Sequence, residues 1–425
     1  MSAWPLTLRG TGALVLAVVC GVLAQRFGIV ELAYVGALLV VVVALSAATL
    51  YLLPQSARVT RSFSPDVTAV GARVHVRLTV QTRSSLPLSQ GRWRDRLPDG
   101  VDSGPDTDRD GPGGLFPATA SAMGGESSVE LTYLARAARR GICSVGPLSV
   151  VTTDPFGVVR RRRSVGGSSP LVIVPELVDL LPLSDLPGDA GGSTRSVADR
   201  LGQGADNLIP RTYAPGDSMC RIHWRASAHR DELMVRQEEQ ETTPEAIVVL
   251  DRSAHRWPIT AARAAGADPG FEAAVSACLS ATALLVREGY LVTVIDADGA
   301  VLCDPIEGGD IAGIEQLAIA LATVTTRRDA PLDALVRLFA GVSAGPLVVV
   351  TGAIDDADVT VLAPLPPHSS LPILLAVSAD PVARAHATDT GWHTAVVVAP
   401  DDLAAAWADA TSQTDGRGGG ARVVA

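Results

Sequence analysis

The chain has no lysine; all 35 of its basic residues are arginine. A Walker phosphate loop, GxxxxGK[ST], is thereby excluded. A GC-rich coding bias explains an all-arginine chain more simply than a set of dedicated phosphate forks. Cysteine is sparse and odd in number: Cys20, Cys143, Cys220, Cys278 and Cys303 are scattered without a CxxC pair. Neither a zinc site nor a disulfide framework is signalled, and a reducing compartment suits such thiols. Seven histidines are present but no GxSxG elbow accompanies them. The nearness of His223, His229 and His255 to Asp217, Ser227 and Ser253 therefore carries no nucleophilic triad. GxGxxG is also missing after the apolar strands. Aromatic residues make up only 4%, yet 47% of the chain is apolar and rich in Val, Ala and Leu, which argues against global disorder.

What is present divides by charge and by hydropathy. At 425 residues the chain is long enough for two or three domains. The net charge of −10 is uneven: residues 1–57 carry +1, residues 58–163 have 16 Arg against 10 acids, and residues 164–425 have 17 Arg against 34 acids. An acidic C-terminal end repels phosphates and argues against a nucleic-acid reader.

Leu32 to Leu53 is an uncharged apolar run whose helical length of roughly 33 Å spans a bilayer core of about 30 Å. A shorter run, Thr11 to Ala24, reaches spanning length when extended back through Leu6 past a snorkelling Arg9. A signal peptide is the competing reading, with Arg9 in its n-region and Ala13 to Leu23 as its h-region. The short link Gln25 to Glu31, without a persuasive A-x-A site, favours a transmembrane hairpin over residues 1–57. Arg9, Arg58 and Arg61 flank its outer ends, which by the positive-inside rule predicts a plasma-membrane protein with cytoplasmic soluble domains.

Residues 58–180 read as a β-sandwich. Val74, Val76, Leu78 and Val80 alternate with polar residues, and short runs recur at Val129 to Leu134, Leu148 to Val151 and Leu171 to Val174. Pro98 to Gly125, dense in Asp, Gly and Pro, reads as a long loop. Arg160 to Arg163 reads first as a solvated hairpin end and second as a contact for anionic headgroups. Residues 181–204 read as a linker and 205–245 as a motif segment.

From residue 246 to 425, apolar strands alternate with helices: Ala246 to Leu250, Phe271 to Glu288, Leu291 to Ile295, Ile311 to Val324, Pro331 to Phe339, Leu347 to Val350, Ile373 to Val377, Ala395 to Val398 and Asp401 to Ala410. That order predicts an α/β domain, a mainly parallel sheet with helices on both faces. Ligands in such sheets bind outside the carboxyl ends of the strands, which points to Asp251, Asp296 and Thr351.

Asp251-Arg252-Ser253-Ala254-His255 resembles the DxSxS loop of von Willebrand factor A domains, whose oxygens hold a divalent cation. Its third position is His255, and Thr351-Gly352-Ala353 lacks the aspartate that cation-binding members place after the threonine. Hard cations need each oxygen, so a degenerate, metal-free loop is expected, with Mg²⁺ at Asp251 and Ser253 as the alternative. A cap of the following loop by Asp251 and Ser253 is the plainest role.

Arg211 to Glu241 holds a Pro-Gly turn at Pro215-Gly216, then Arg221, Trp224 and Arg225 at helical spacing. Docking of a helix explains each residue singly. Together, Arg211, Tyr213, Gly216, Asp217, Arg221, Ile222, Trp224, Ala226, Ser227, Ala228, Leu233, Val235 and Glu238 resemble the signature of the domain of unknown function 58 family. His229 stands where that family places an arginine. Arg139-Arg140-Gly141 and Asp154-Pro155-Phe156-Gly157 are similar to the family's upstream turns. The resemblance implies a bacterial, membrane-attached adaptor that partners a MoxR-type AAA+ ATPase, has a von Willebrand-like domain, and occurs beside transglutaminase-like membrane proteins. No enzymatic activity is established for that family, and with no catalytic constellation in the sequence neither enzymatic activity nor a cofactor is expected. The signature segment is then expected to be a hinge between domains and a docking face.

Overall fold

The two apolar runs form helices α1 (Leu8–Phe27) and α2 (Val30–Tyr51). They are taken from a computed structural model that describes residues 4–52, 55–84, 91–103, 111–116, 126–183, 208–212, 227, 229, 232, 234–238, 244–327, 331–340 and 344–412. The Thr7 hydroxyl caps α1 by accepting the Gly10 amide at 3.2 Å. Gly28, at a left-handed φ of +69°, ends it and turns the chain back. The helices meet through small residues: a Cβ on Gly36 would lie 3.0 Å from the Ala17 carbonyl. Both helices are long and apolar enough to cross a membrane.

Two compact units make up the chain, Met1–Glu176 and Leu177–Ala425. In the first, the helices are followed by β1 (Gln55–Ser64), β2 (Val67–Ala69), β3 (Arg73–Ser84), β4 (Gly91–Asp95), β5 (Val101–Ser103), β6 (Gly113–Phe116), β7 (Glu126–Ala137), β8 (Gly141–Val145), β9 (Leu148–Thr153), β10 (Arg160–Val165) and β11 (Ser169–Val174). Three sheets result, ordered β1-β3-β7-β5, β10-β9-β4-β6 and β2-β11-β8. The alternation in β3 puts Val74, Val76, Leu78 and Val80 on its buried face. Val74 and Val76 pack with Val145, Leu171 and Ile173, while Leu78 and Val80 pack with Trp93, Phe116, Leu148 and Val150.

One sequence expectation changes here. The stretch Pro98 to Gly125 is not wholly loop, because β5 pairs with β7 and β6 pairs with β4. Both strands are too short to show periodicity. Arg160 to Arg163 begins β10, the outgoing strand of the hairpin with β9, and its side chains are exposed or half-buried, as a solvated hairpin end would have them.

The turn between β9 and β10 fastens the sheets to the helices. Asp154 is buried and accepts the amides of Phe156 at 3.0 Å and Val159 at 2.6 Å. The turn so formed offers the Gly157 carbonyl to the Thr7 hydroxyl at 2.6 Å and the Val158 carbonyl to the Thr7 amide at 3.0 Å. Gly10 makes room for this approach, since a Cβ there would fall 2.0 Å from the Val158 carbonyl oxygen. Deeper in the unit, Arg61 and Asp95 form a two-pronged ion pair at 2.7 and 3.2 Å with side chains 1% and 0% exposed. The Tyr133 hydroxyl donates to the same carboxylate at 2.9 Å.

In the second unit β12 (Leu208–Thr212) pairs antiparallel with β13 (Met234–Glu238). There follow β14 (Glu245–Leu250), α3 (Pro269–Arg287), β15 (Leu291–Asp296), α4 (Ile311–Leu321), α5 (Asp333–Leu338), β16 (Ala344–Ile354), α6 (Asp356–Leu362), β17 (Ser369–Ala379), α7 (Pro381–Thr390), β18 (His393–Val396) and α8 (Leu403–Ser412). Strands β15-β14-β16-β17-β18 form one sheet, parallel throughout. Val248 and Leu250 face a core shared with α3, α4 and α8, and Val249 faces one shared with α5, α6 and α7. Helix α3 has a membrane span's length and hydropathy, but fourteen of its nineteen residues are buried, so it is a core helix. Leu180 and Leu183, read from sequence as sandwich edge and linker, pack in this second core, and the Leu181 carbonyl accepts the Trp407 indole at 3.0 Å. Residues 184–204 lie outside the described residues.

Candidate functional site

The sequence points to two places. Of the motif segment, the backbone of Arg211 is described, opposite Val235 in the β12–β13 ladder. Met234 is buried, and its amide donates to the Ser227 hydroxyl at 2.8 Å. His229 is exposed. Tyr213, Gly216, Asp217, Arg221, Ile222, Trp224, Ala228 and Leu233 lie outside the described residues.

The second place is the carboxyl edge of the parallel sheet. The strand order reverses between β14 and β16, the switch point where doubly wound sheets open a crevice. Asp251 follows the end of β14, whereas Thr351, expected from the sequence at a strand end, lies within β16, which runs on to Ile354. The Thr351 hydroxyl donates to Asp251 Oδ2 at 2.7 Å. Asp251 is fully buried, and its Oδ1 accepts the Ser253 amide at 3.0 Å. The loop then folds back as a short 3₁₀ turn, Ala254–Arg256. The Trp257 indole donates to the Asp251 carbonyl at 2.9 Å and stacks edge-on against Phe271.

That turn brings Arg256 onto the carboxylate. Its Nη1 lies 3.2 Å from Asp251 Oδ2 and its Nη2 lies 2.9 Å from Asp358 Oδ1, with the arginine side chain 5% exposed. Asp251 thus meets a guanidinium where a DxSxS loop presents its carboxylate to a metal. Gly352 is part of the same device. A Cβ there would sit 2.2 Å from the Arg256 carbonyl oxygen, so an aspartate after Thr351 has no room. Asp355 is turned to another task, capping α6 in a box with Asp358.

The neighbouring strand end repeats the pattern. Asp296, fully buried, accepts Arg252 Nε at 2.8 Å and Arg327 Nε at 2.9 Å, and Arg327 also pairs with Asp298. Carboxylates at two adjacent strand ends are therefore held by three arginines of the chain itself. Asp251 and Asp296 are legible in the sequence as strand-end residues; no pattern in the sequence marks Arg252, Arg256 and Arg327 as their partners. Arg256 lies five residues from its partner, and Arg327 lies 31 from Asp296, spacings without a helical or strand signature. Among the described residues, no group of three or more His, Cys, Asp or Glu is arranged to hold a metal ion.

Residues 210–356 match a family described as "Protein of unknown function DUF58". The match begins in β12 and runs through the strand ends at Asp251 and Asp296 and through Thr351. No curated protein matches the chain. Among solved structures, the chain is similar to the CARDB domain of a Pyrococcus furiosus protein in complex with di-metal ions, at 11% identity, 29% of this chain, 89% of that chain and a TM-score of 0.18. It is also similar to BslA, a bacterial hydrophobin, at 14% identity, 28% of this chain, 99% of that chain and a TM-score of 0.17. A beta-glucosidase from Listeria innocua in complex with isofagomine gives 16% identity, 27% of this chain, 16% of that chain and a TM-score of 0.15. At such TM-scores these likenesses carry no argument about fold or function.

Proposed function

We propose, from the match of residues 210–356 to the DUF58 family, that the chain is a membrane-anchored adaptor that partners a MoxR-type AAA+ ATPase in the assembly or maturation of cell-envelope proteins. The helical hairpin α1–α2 is its transmembrane anchor in the plasma membrane, the antiparallel sheets of the first unit are a β-sandwich, and the second unit is a von Willebrand factor A-like domain. The soluble units face the cytoplasm. A transglutaminase-like membrane protein is a further partner, and nucleic acid is not one.

The observation that carries the adaptor reading is the ion pair of Arg256 with Asp251. In doubly wound sheets the strand ends at the switch point hold ligands, and here the chain's own side chains neutralise that position. The domain keeps an interaction fold while its cation loop is closed, which suits protein binding without enzymatic turnover and without a cofactor. Capture of the full chain from detergent-solubilised membranes is expected to recover the ATPase, more of it with ATP and a hydrolysis block. Capture that recovers no AAA+ protein under either condition overturns the reading.

The second reading is a metal-dependent binding protein or enzyme using Mg²⁺ at Asp251 and Ser253. One observation favours it: Asp251, Ser253 and Thr351 do converge at one strand end. Against it, a divalent cation at Asp251 would sit beside a buried guanidinium.

A further inference from the structure

The outer end of the helical hairpin collects charge and aromatic surface that the adaptor reading leaves unused. The Arg160 amide donates to the Pro5 carbonyl at 2.8 Å, and its Nε to the Trp4 carbonyl at 3.3 Å. The Tyr51 hydroxyl reaches the Arg160 carbonyl at 3.4 Å. Arg161 donates to the Leu50 carbonyl at the end of α2 and lies 4.8 Å from the centre of the Tyr51 ring. The first residues of β10 are thereby pinned at the level where α1 begins and α2 stops.

The side chains left facing outward there are of two kinds. Trp4, Leu8, Tyr51, Leu52 and Phe156 are exposed although apolar or aromatic. Arg9 and Arg160 are exposed cations, and among the described residues no ion pair holds either one. The turn's acid, Asp154, points inward onto its own amides, and Arg61, which the sequence places at this flank, is buried against Asp95. Tryptophan and tyrosine with arginine at the end of an apolar helix are the composition of a membrane–water interface, where each basic side chain favours anionic lipid.

We propose that this end of the hairpin is a binding surface for anionic phospholipid headgroups, with Arg9 and Arg160 meeting the phosphates and Trp4, Tyr51 and Phe156 seated at headgroup depth. It rests on the membrane-anchored reading of α1 and α2. Arg161 is a positioning residue, tying β10 to the end of α2. The partner is the anionic glycerophospholipid of the bilayer that the hairpin spans.

The test uses the full chain in detergent, with equal phosphatidylglycerol and phosphatidylcholine of the same acyl chains, and counts retained lipids by native mass spectrometry. The wild type is expected to prefer phosphatidylglycerol, by about fivefold for each of the two arginines. The double variant Arg9→Gln/Arg160→Gln is expected to lose that preference with its melting temperature unchanged. Arg263→Gln/Arg384→Gln, which removes two exposed arginines of the second unit, is expected to keep it. Equal retention of both lipids by the wild type, or an equal loss in the two double variants, overturns the proposal. Carbonate washing of membranes reads the anchor separately. Protein that stays in the membrane without lipid preference defeats this inference alone, and protein released by the wash defeats the anchor.

Discussion

At the residue scale the second unit is governed by pairs that neutralise buried charge. Asp251 is held by Arg256, Thr351 and the Ser253 amide. Removing its charge leaves the buried Arg256 with Asp358 as its remaining carboxylate, so Asp251→Asn is expected to destabilise the second unit by about 1–3 kcal/mol in chemical denaturation, the range for a buried polar group left partly unsatisfied. Calorimetric titration of the full chain with Mg²⁺ and Mn²⁺ is expected to give no saturable heat. Saturable heat that disappears in Asp251→Asn would establish the metal reading instead. The sequence made Asp251 conspicuous because it ends an apolar strand. It hid Arg256, because in a loop the reach of an arginine depends on how the 3₁₀ turn folds back and not on its spacing.

At the element scale the fastening of α1 to the β9–β10 turn depends on the absence of one methyl group. Gly10→Ala would drive its Cβ into the Val158 carbonyl, whereas Gly12 has open space around the same atom. Gly10→Ala is expected to lower stability by about 1–3 kcal/mol, the range for overpacking, and to speed proteolysis within residues 154–159. Gly12→Ala is expected to do neither, and the two are compared by limited digestion and melting of the full chain. Legibility at this scale followed length and periodicity. The alternation of β3 and the apolar run of α2 could be read directly. Helices α6 and α7 could not, being short and carrying few buried residues: Val359 and Leu362 in one, Ala383 and Ala387 in the other. In the sequence the DPFG turn is legible only as a family feature. Its work, presenting carbonyls to Thr7, joins residues some 150 apart, which no local pattern encodes.

At the scale of the whole molecule each unit has hydrophobic clusters of its own: among the described residues two lie in Leu177–Ala425 and three in Met1–Glu176. Two unfolding transitions are therefore expected. Arg61→Met is expected to lower the first unit's transition alone, and Trp407→Ala the second's alone, each by about 3–5 kcal/mol. Alkaline pH acts on both units, since burial also raises the Cys278 thiol of the second unit above its ordinary value of 9.0. Burial first, and then the Asp95 carboxylate, raise the Tyr133 phenol above its ordinary value of 10.0. Below pH 10 folded and unfolded chains both keep that proton, and the contribution is complete. Above it the unfolded chain loses the proton while the folded one retains it, so stability falls as pH rises. The first unit's transition is expected to drop above pH 10, less steeply in Tyr133→Phe, as read by denaturation across pH 8–12. Sequence showed that more than one core was needed and where charge changed sign; it did not show that Leu180 and Leu183 belong to the second core, because their partners in α3 and α8 are distant in the chain.

Gly352 and Arg256 also bear on how such a loop could change over generations. Aspartate at 352 collides with the backbone of residue 256, and loss of the arginine strands a buried carboxylate. Either step alone lowers stability, so a lineage carrying this pair is held to it: a change at one of the two positions is tolerated only after a compensating change elsewhere.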